Sequence, residues 1–482
     1  MLFSTINYIF IFLPLIFLFF LISKKFSNLS VIYLLFSSLF FYAFWDFKLL
    51  FLLLFSIIFN FYISRLMIGN SNLKNLLLYF GIGVNVFILI IFKYSNFIIE
   101  NFNLLFDYNI GLIYLTFPLA LSFYTIQQVA YLFDCYDEEI KDVKFTNYAL
   151  FISFFPQLIS GPIVLYRNVS EQIANLSKAE IDYKNVFLGI LIFTIGLSKK
   201  VLIADSFEPS VQEGFASATT INYDFIESWL ISILFTFQIY FDFSGYTDMA
   251  IGSALILNII LPINFLSPYK STSIISFWQK WHITLSNFIN QYCFNKIIYK
   301  YKLIGPINSK IIIIIIMTIA GFWHGPTWGY IIFGLIHGLA ISVNYFWKET
   351  NIILNKFLGW FLTFLVICFA FVFFKSSSLE VALNISKGML GFNGIDLPII
   401  FKTILPNFLS NSLSFAELDL RSFNIKILII FVISLIIVFC FKNTQSLYQN
   451  YKYKIWHIWL YSFLFFISIL RLRGVEFIYF AF

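Results

Sequence analysis

Apolar runs of membrane-spanning length recur from one end of this chain to the other, and they limit its fold more than any single motif. A helix that crosses a bilayer needs about 20 mostly apolar residues, because its backbone polar groups must be satisfied within the segment. Such runs lie near 5–22, 30–45, 48–66, 75–95, 111–134, 186–204, 226–247, 309–323, 329–347, 357–374, 425–441 and 455–470. Allowing for broken ones, they predict an all-α polytopic integral membrane protein with about eleven crossings. Composition agrees: 60% of the 482 residues are hydrophobic and 11% charged, against roughly 25% charged in a soluble domain. A soluble fold of this length has too little interior for that surface, which excludes secreted, cytosolic and nucleic-acid-binding classes. Lipid is the expected environment, and without repeats or long linkers residues 1–482 read as one integral domain.

Lys24 and Lys25 follow the first apolar run, the reverse of the order in a cleavable signal peptide. The first segment is therefore expected to stay as a helix with its N-terminus outside; Arg65 and Lys74, after the third run, fit the same parity. Between Met249 and Lys348 there is no Asp or Glu, yet Lys270, Lys280, Lys296, Lys300, Lys302, Lys310 and Lys348 fall there. The positive-inside rule accounts for such a stretch; a cytoplasmic mouth attracting an anionic donor would also use it. On the second reading Lys280, Lys296, Lys300 and Lys302 mark donor access.

Two stretches depart from simple spans. In 149–166, Pro156, Gly161 and Pro162 interrupt an apolar run, which suggests either a re-entrant element lining an internal chamber or a kinked helix. In 276–292, Phe277, Trp281, Leu285, Phe288 and Tyr292 recur at helical spacing, predicting one helix with an apolar stripe, at the interface or packed over the bundle.

The histidines are His282, His324, His337 and His457. An ionisable group inside a membrane is costly and is a functional candidate by default. His324 sits in Gly-Phe-Trp-His-Gly-Pro, where Pro326 should end the helix and leave the imidazole at a break with space around it. One neutral imidazole beside a hydroxyl is enough for general base catalysis. His337 follows thirteen residues later in Gly334-Leu-Ile-His-Gly338, while His457 lies in a Trp-rich stretch suited to an interface. On a single straight helix the 324–337 spacing would set the imidazoles roughly 20 Å apart, and no His-Glu-x-x-His run occurs, so no metal site is expected. Asp242 and Asp248 are the intramembrane carboxylates; they could orient a histidine, bind a cation or serve structure. Cys135, Cys293, Cys368 and Cys440 stand singly and support neither zinc nor disulfides. There is no P-loop, no dinucleotide fingerprint and no GxSxG elbow.

Phe277-Trp-Gln-Lys-Trp-His282-Ile-Thr-Leu-Ser, Gly321-Phe-Trp323-His324-Gly and His337-Gly resemble the membrane-bound O-acyltransferases, with greatest similarity to the membrane subunit of alginate O-acetyltransferase and its peptidoglycan O-acetyltransferase relatives. Pro118-Leu-Ala-Leu-Ser-Phe-Tyr-Thr-Ile-Gln127, Phe155-Pro-Gln-Leu-Ile-Ser-Gly-Pro-Ile163, Asp242-Phe-Ser-Gly-Tyr-Thr-Asp248, Val372-Phe-Phe-Lys375 and Glu476-Phe-Ile-Tyr-Phe are similar too. The resemblance implies a helical bundle around a central tunnel in a bacterial cytoplasmic (inner) membrane. His324 takes the place of the catalytic histidine and His282 of a second polar residue, with His337, Asp242, Asp248, Trp323 and Gln127 in support. Lys375 stands where an arginine is usual, keeping charge but losing fork geometry, and Pro326 where a small residue is more frequent.

The implied reaction carries an acetyl group from a cytoplasmic thioester, acetyl-CoA as donor substrate, toward hydroxyls of an extracytoplasmic glycan, without metal or bound cofactor. Connections near 135–147, 205–224 and 376–424 are too short for a hydrolase-like domain and contain no histidine. A separate SGNH-hydrolase-like O-acetyltransferase with its own serine is therefore expected as partner. D-alanyl transfer to teichoic acid, or a transporter without chemistry, are the alternatives; the inverted repeats that a transporter would show are absent.

Overall fold

The computed structural model describes residues 2–482 apart from 27–28, 70, 302–304, 351, 353, 400–413, 445, 447–453, 476 and 479–482. In chain order the helices are α1 (Leu13–Ser23), α2 (Leu29–Ala43), α3 (Phe47–Gly69), α4 (Lys74–Leu89), α5 (Ser95–Phe106), α6 (Leu121–Tyr136), α7 (Phe145–Ser153), α8 (Phe155–Leu158), α9 (Tyr166–Ala174), α10 (Tyr183–Ser198), α11 (Asp205–Ser217) and α12 (Phe225–Ile256). Then come α13 (Ile274–Trp278), α14 (Ile283–Phe288), α15 (Lys296–Tyr301), α16 (Pro306–His324), α17 (Trp328–Glu349), α18 (Lys356–Lys375) and α19 (Leu379–Met389), followed by the helices Ile425–Cys440 and Ile455–Leu470. Turns of π-helix at Ile90–Tyr94, Lys199–Ala204 and Ile289–Asn295 join α4 to α5, α10 to α11 and α14 to α15. The strands among the described residues are one parallel pair, Leu397–Pro398 with Phe415–Ala416.

Among the described residues seven helical runs are long and apolar enough to cross a membrane, and the shorter apolar helices are Asn7–Ser23, Leu29–Ala43, Ile425–Cys440 and Ile455–Leu470. The protein is the all-α polytopic architecture that the apolar runs predict. Phe36, Phe51, Phe87 and Phe463 are among many large apolar side chains exposed on its outside, as lipid contact demands.

With lipid outside, close helix packing cannot draw on hydrophobic contrast and uses small residues instead. α10 and α12 meet backbone to backbone: a Cβ on Gly196 would lie 2.5 Å from the Gly245 carbonyl oxygen, and one on Gly245 2.7 Å from that of Gly196. α16 and α17 form an antiparallel hairpin on the same principle, with Gly321 against the Tyr330 carbonyl and Gly334 against that of Met317.

Two expectations change in detail, and a third is resolved. The run 111–134 is not one helix: residues 109–118 are non-helical, Pro118 disfavours helix at the residue before it, and α6 begins only at Leu121 after Ala120 in the left-handed region at φ 62°. Most of α6 is buried, so its apolarity serves the protein interior. The 149–166 stretch is broken as its prolines imply, into α7, α8 and an extended tail, and it is almost wholly buried. The 276–292 stretch is not one helix. It turns sharply between α13 and α14, where His282 adopts φ 44° and ψ 52°.

Candidate active site

α16 stops at His324 because Pro326 has no amide hydrogen and holds Gly325 extended (φ −172°, ψ 158°). The imidazole is buried among rings: centroid distances are 5.0 Å to Trp323, 5.4 Å to Phe374 and 6.2 Å to Phe333. The α16–α17 hairpin folds the second histidine back toward the first, so that Phe333 also stands 4.6 Å from His337. His337 accepts from the Trp278 indole N–H at Nδ1 (3.3 Å), which leaves the proton on Nε2. That Nε2 is buried and has no hydrogen-bond partner among the described residues.

His282 is held by a different device. The connection after α12 doubles back on α13 and α14, fixed by Leu266 N–H to the Lys280 carbonyl and Ile283 N–H to the Asn264 carbonyl, both 3.0 Å. Asn264 Oδ1 accepts from Thr284 N–H (3.2 Å) and Thr284 Oγ1 (2.9 Å), and so acts as an acceptor toward His282 Nδ1 at 3.1 Å. Thr284 Oγ1 in turn accepts from Ile163 N–H (2.9 Å), tying the broken 154–165 stretch to this loop. With Nδ1–H donating, Nε2 of His282 presents a lone pair, and it has no partner among the described residues. An imidazole with one nitrogen fixed as donor and the other open can accept a proton. His282 and His337 both lie within electrostatic range of His324, so the structure brings the three together. His457 stands apart on the helix Ile455–Leu470, beside Trp456 and Tyr461.

Asp242 and Asp248 are held by lysines. Lys200 Nζ bridges Asp205 and Asp242 at 2.7 Å each, while Lys199 Nζ (2.7 Å) and Thr444 Oγ1 (2.8 Å) meet Asp248. The other oxygen of Asp242 accepts from Ile478 N–H at 2.8 Å, and Phe477 stacks on Tyr246 at 4.3 Å; Glu476 and 479–482 of that terminal block lie outside the described residues. The carboxylates thus hold the bundle and anchor its C-terminal segment. Gln127 is buried on α6; its neighbour Gln128 links Ser56 (2.7 Å) and Tyr148 (3.0 Å). No group of His, Cys, Asp or Glu suited to a metal occurs among the described residues, and the four cysteines are free.

Arg65, Lys74, Arg167 and Lys296 converge on the acidic turn 137–142, pairing with Asp142, Glu138, Glu139 and Asp137. The Lys74 ammonium bonded to Glu138 holds that carboxyl below its ordinary range. The lysine excess of 249–348 is thus partly compensated in space by acids from elsewhere in the chain. Lys296 lines a groove of about 970 Å³ with Asn75, Phe133, Tyr136, Gln291 and Tyr292. Lys280 is not on that groove but in the turn before His282; Lys302 and the side chain of Lys300 lie outside the described residues. A second groove, about 350 Å³, opens beside the His324 turn, between Asn101, Pro326, Thr327, Trp328, Ser376 and Ser378. Asn75 and Asn101 sit near the two ends of the 74–106 helical run, separated by roughly 40 Å of helix, the full thickness of a bilayer with its headgroups.

Two residues escaped the sequence reading. Asn264 is a polar residue in an apolar loop whose role depends on contacts 18 and 20 positions away. Lys93 is a buried cation near the middle of the 74–106 run that donates to the Trp323 carbonyl at 2.7 Å. A lone lysine in an apolar span was the available signal.

Comparison with known proteins adds to this geometry. The family model described as MBOAT, membrane-bound O-acyltransferase family, matches residues 134–383. The chain is 39% identical to a peptidoglycan O-acetyltransferase of Helicobacter pylori, over 93% of this chain and 91% of the relative. It is 31% identical to a probable alginate O-acetylase of Pseudomonas putida, over 88% of each. Likeness to a teichoic acid D-alanyltransferase of Streptococcus thermophilus is 25% over 49% of this chain and 59% of the relative.

Proposed function

Because the chain belongs to the membrane-bound O-acyltransferase family and is therefore an acyltransferase, we propose that it moves acetyl groups from a cytoplasmic thioester to hydroxyls on the far side of the membrane. The observation that carries this reading is the pair of buried imidazoles, His324 at a helix break and His282 with an open Nε2, placed between grooves at opposite ends of one membrane-length helix. The face bearing Lys74, Arg167 and Lys296 is cytoplasmic, by the positive-inside rule, and receives acetyl-CoA. His324 takes the proton of the hydroxyl that first receives the acetyl group, the serine of a partner transferase, and His282 assists as second proton acceptor or by positioning. The hydroxyl oxygen forms its bond to the acetyl carbon, the C–S bond breaks, and the proton leaves with the thiolate as free CoA. His337 and Trp278 brace the wall beside them, and Trp323 packs against His324.

The final acceptor is an extracytoplasmic glycan, with peptidoglycan the first choice from the similarity of the full-length relatives. A polymer cannot reach imidazoles buried among membrane helices, so a separate SGNH-hydrolase-like O-acetyltransferase collects the acetyl group at the groove beside Pro326 and Thr327. The test is reconstitution in proteoliposomes with labelled acetyl-CoA, with a D-alanyl carrier protein as the contrasting donor. Label should move only from acetyl-CoA, and reach a peptidoglycan acceptor only after the partner is added. Transfer from the D-alanyl carrier instead would replace the donor, and polymer acetylation by this chain alone would refute the two-component scheme.

A further inference from the structure

Lys93 is 8% exposed, and among the described residues no carboxylate pairs with it. Its ammonium donates to the Trp323 carbonyl (2.7 Å) and to Ser122 Oγ (3.1 Å), and it lies 5.6 Å from the Trp323 ring centroid and 5.9 Å from those of Tyr94 and Phe117. A buried charge without a counter-ion is costly, and a purely structural contact to a carbonyl could be made by a neutral donor. Two backbone irregularities hold the arrangement. The π-turn Ile90–Tyr94 offsets the helical register at Lys93 and Tyr94, and Ala120, a non-glycine residue at φ 62°, starts α6 just before Ser122.

The next residue joins the same target. Tyr94 Oη donates to the Phe322 carbonyl at 3.0 Å and stands 3.4 Å from that of Trp323. The last carbonyls of a helix lack partners within it, and cations are favoured there by the helix dipole. α16 ends one residue later, at His324, and Lys93 lies within electrostatic range of that imidazole.

We propose that Lys93 is a positioning residue for His324: with Tyr94 it clamps the final carbonyls of α16 and so fixes the imidazole against the acceptor hydroxyl. The proposal rests on the acetyl-transfer reading above. It gives a function to a cation that a lipid-facing or interfacial role does not explain.

The test uses inverted membrane vesicles carrying the full chain, with the partner transferase and a peptidoglycan acceptor enclosed, labelled acetyl-CoA as the varied substrate, CoA release as readout, and rates normalised to chain content. Wild type is first compared with vesicles lacking the chain; no difference there overturns the acetyl-transfer reading itself. Given wild-type turnover, Lys93→Met should lower maximal rate by about 10- to 100-fold, the cost of a small misplacement, with the KM for acetyl-CoA unchanged. Lys93→Arg, which keeps the cation and its donors, should recover much of the rate. A Lys93→Met protein with wild-type rate, or one whose loss lies in KM alone, overturns the proposal, as does equal loss in the Arg and Met variants. Should Lys93→Met fail to accumulate, Tyr94→Phe decides: a fall in maximal rate at constant KM supports the clamp, and an unchanged rate overturns it.

Discussion

Asn264 and His282, 18 residues apart in the chain, meet through one hydrogen bond of 3.1 Å that decides which imidazole nitrogen carries the proton. Asn264→Ala removes that decision without touching any group that reaches substrate. It is expected to lower turnover by about 10- to 100-fold while the protein still accumulates in the membrane, the scale seen when a supporting hydrogen bond is lost. Steady-state CoA release per chain measures it; wild-type turnover would show that the tautomer of His282 does not matter.

His324→Ala should abolish transfer, a loss of about 100-fold or more on the scale of general base catalysis. His282→Ala should lose much activity and His457→Ala little, since His457 lies apart from the other three. Exchange of rank between these last two in the acetyl-CoA assay would contradict the site.

Lys200 is bonded to both Asp205 and Asp242 at 2.7 Å. Lys200→Met strands two buried carboxylates and should cost about 3–5 kcal/mol, whereas Asp242→Asn leaves Lys200 its Asp205 partner and should cost less. Thermal midpoints in detergent rank the two variants, and the opposite order would mean that Lys200 is not the centre of the cluster.

Gly196→Leu is expected to separate α10 from α12 and eliminate monodisperse protein, because even a Cβ there meets the Gly245 carbonyl at 2.5 Å. Gly83→Ala, where nothing lies within 4 Å, should leave yield and melting unchanged or slightly improved. Size-exclusion profiles of the two variants are the comparison to make.

In a background with the exposed Cys440 replaced by serine, Ser377→Cys should react in intact cells with an impermeant thiol reagent and Lys141→Cys should not. Labelling of Lys141→Cys alone would invert the topology and exchange the faces assigned to donor and acceptor.

The all-α architecture and the His324 break were legible because both are written locally, one in apolar runs and the other in Gly325-Pro326. What hydropathy could not tell was which apolar segments face lipid and which face protein, since the two surroundings select the same side chains. α6 illustrates this: its run looked like a crossing and is mostly interior. The sharp turn at His282 was hidden for a related reason. A stripe at helical spacing survives a break when both halves pack on the same core, and only Asn264, brought in from the preceding loop, reveals that the chain turns there. Asp242 and Asp248 were found by their cost in a membrane, but their partners on the preceding helix were not, because nothing in the spacing says which way Lys199 and Lys200 point.

Those lysine–aspartate pairs also bear on how the chain is made. Lys200 has Asp205 on its own segment, but Lys199 must wait for Asp248, 49 residues further along, which at ribosomal speed is about 2 to 10 s. A lone ammonium at the centre of a helix opposes release into lipid by about 2.5–3.5 kcal/mol on insertion scales. The α10–α11 segment is therefore expected to be held at the insertion machinery until α12 has emerged, and the two to enter the bilayer as a unit. Stalled-ribosome crosslinking would see this directly, as translocon contacts of α10 that persist in Asp248→Ala and end early in Lys199→Leu.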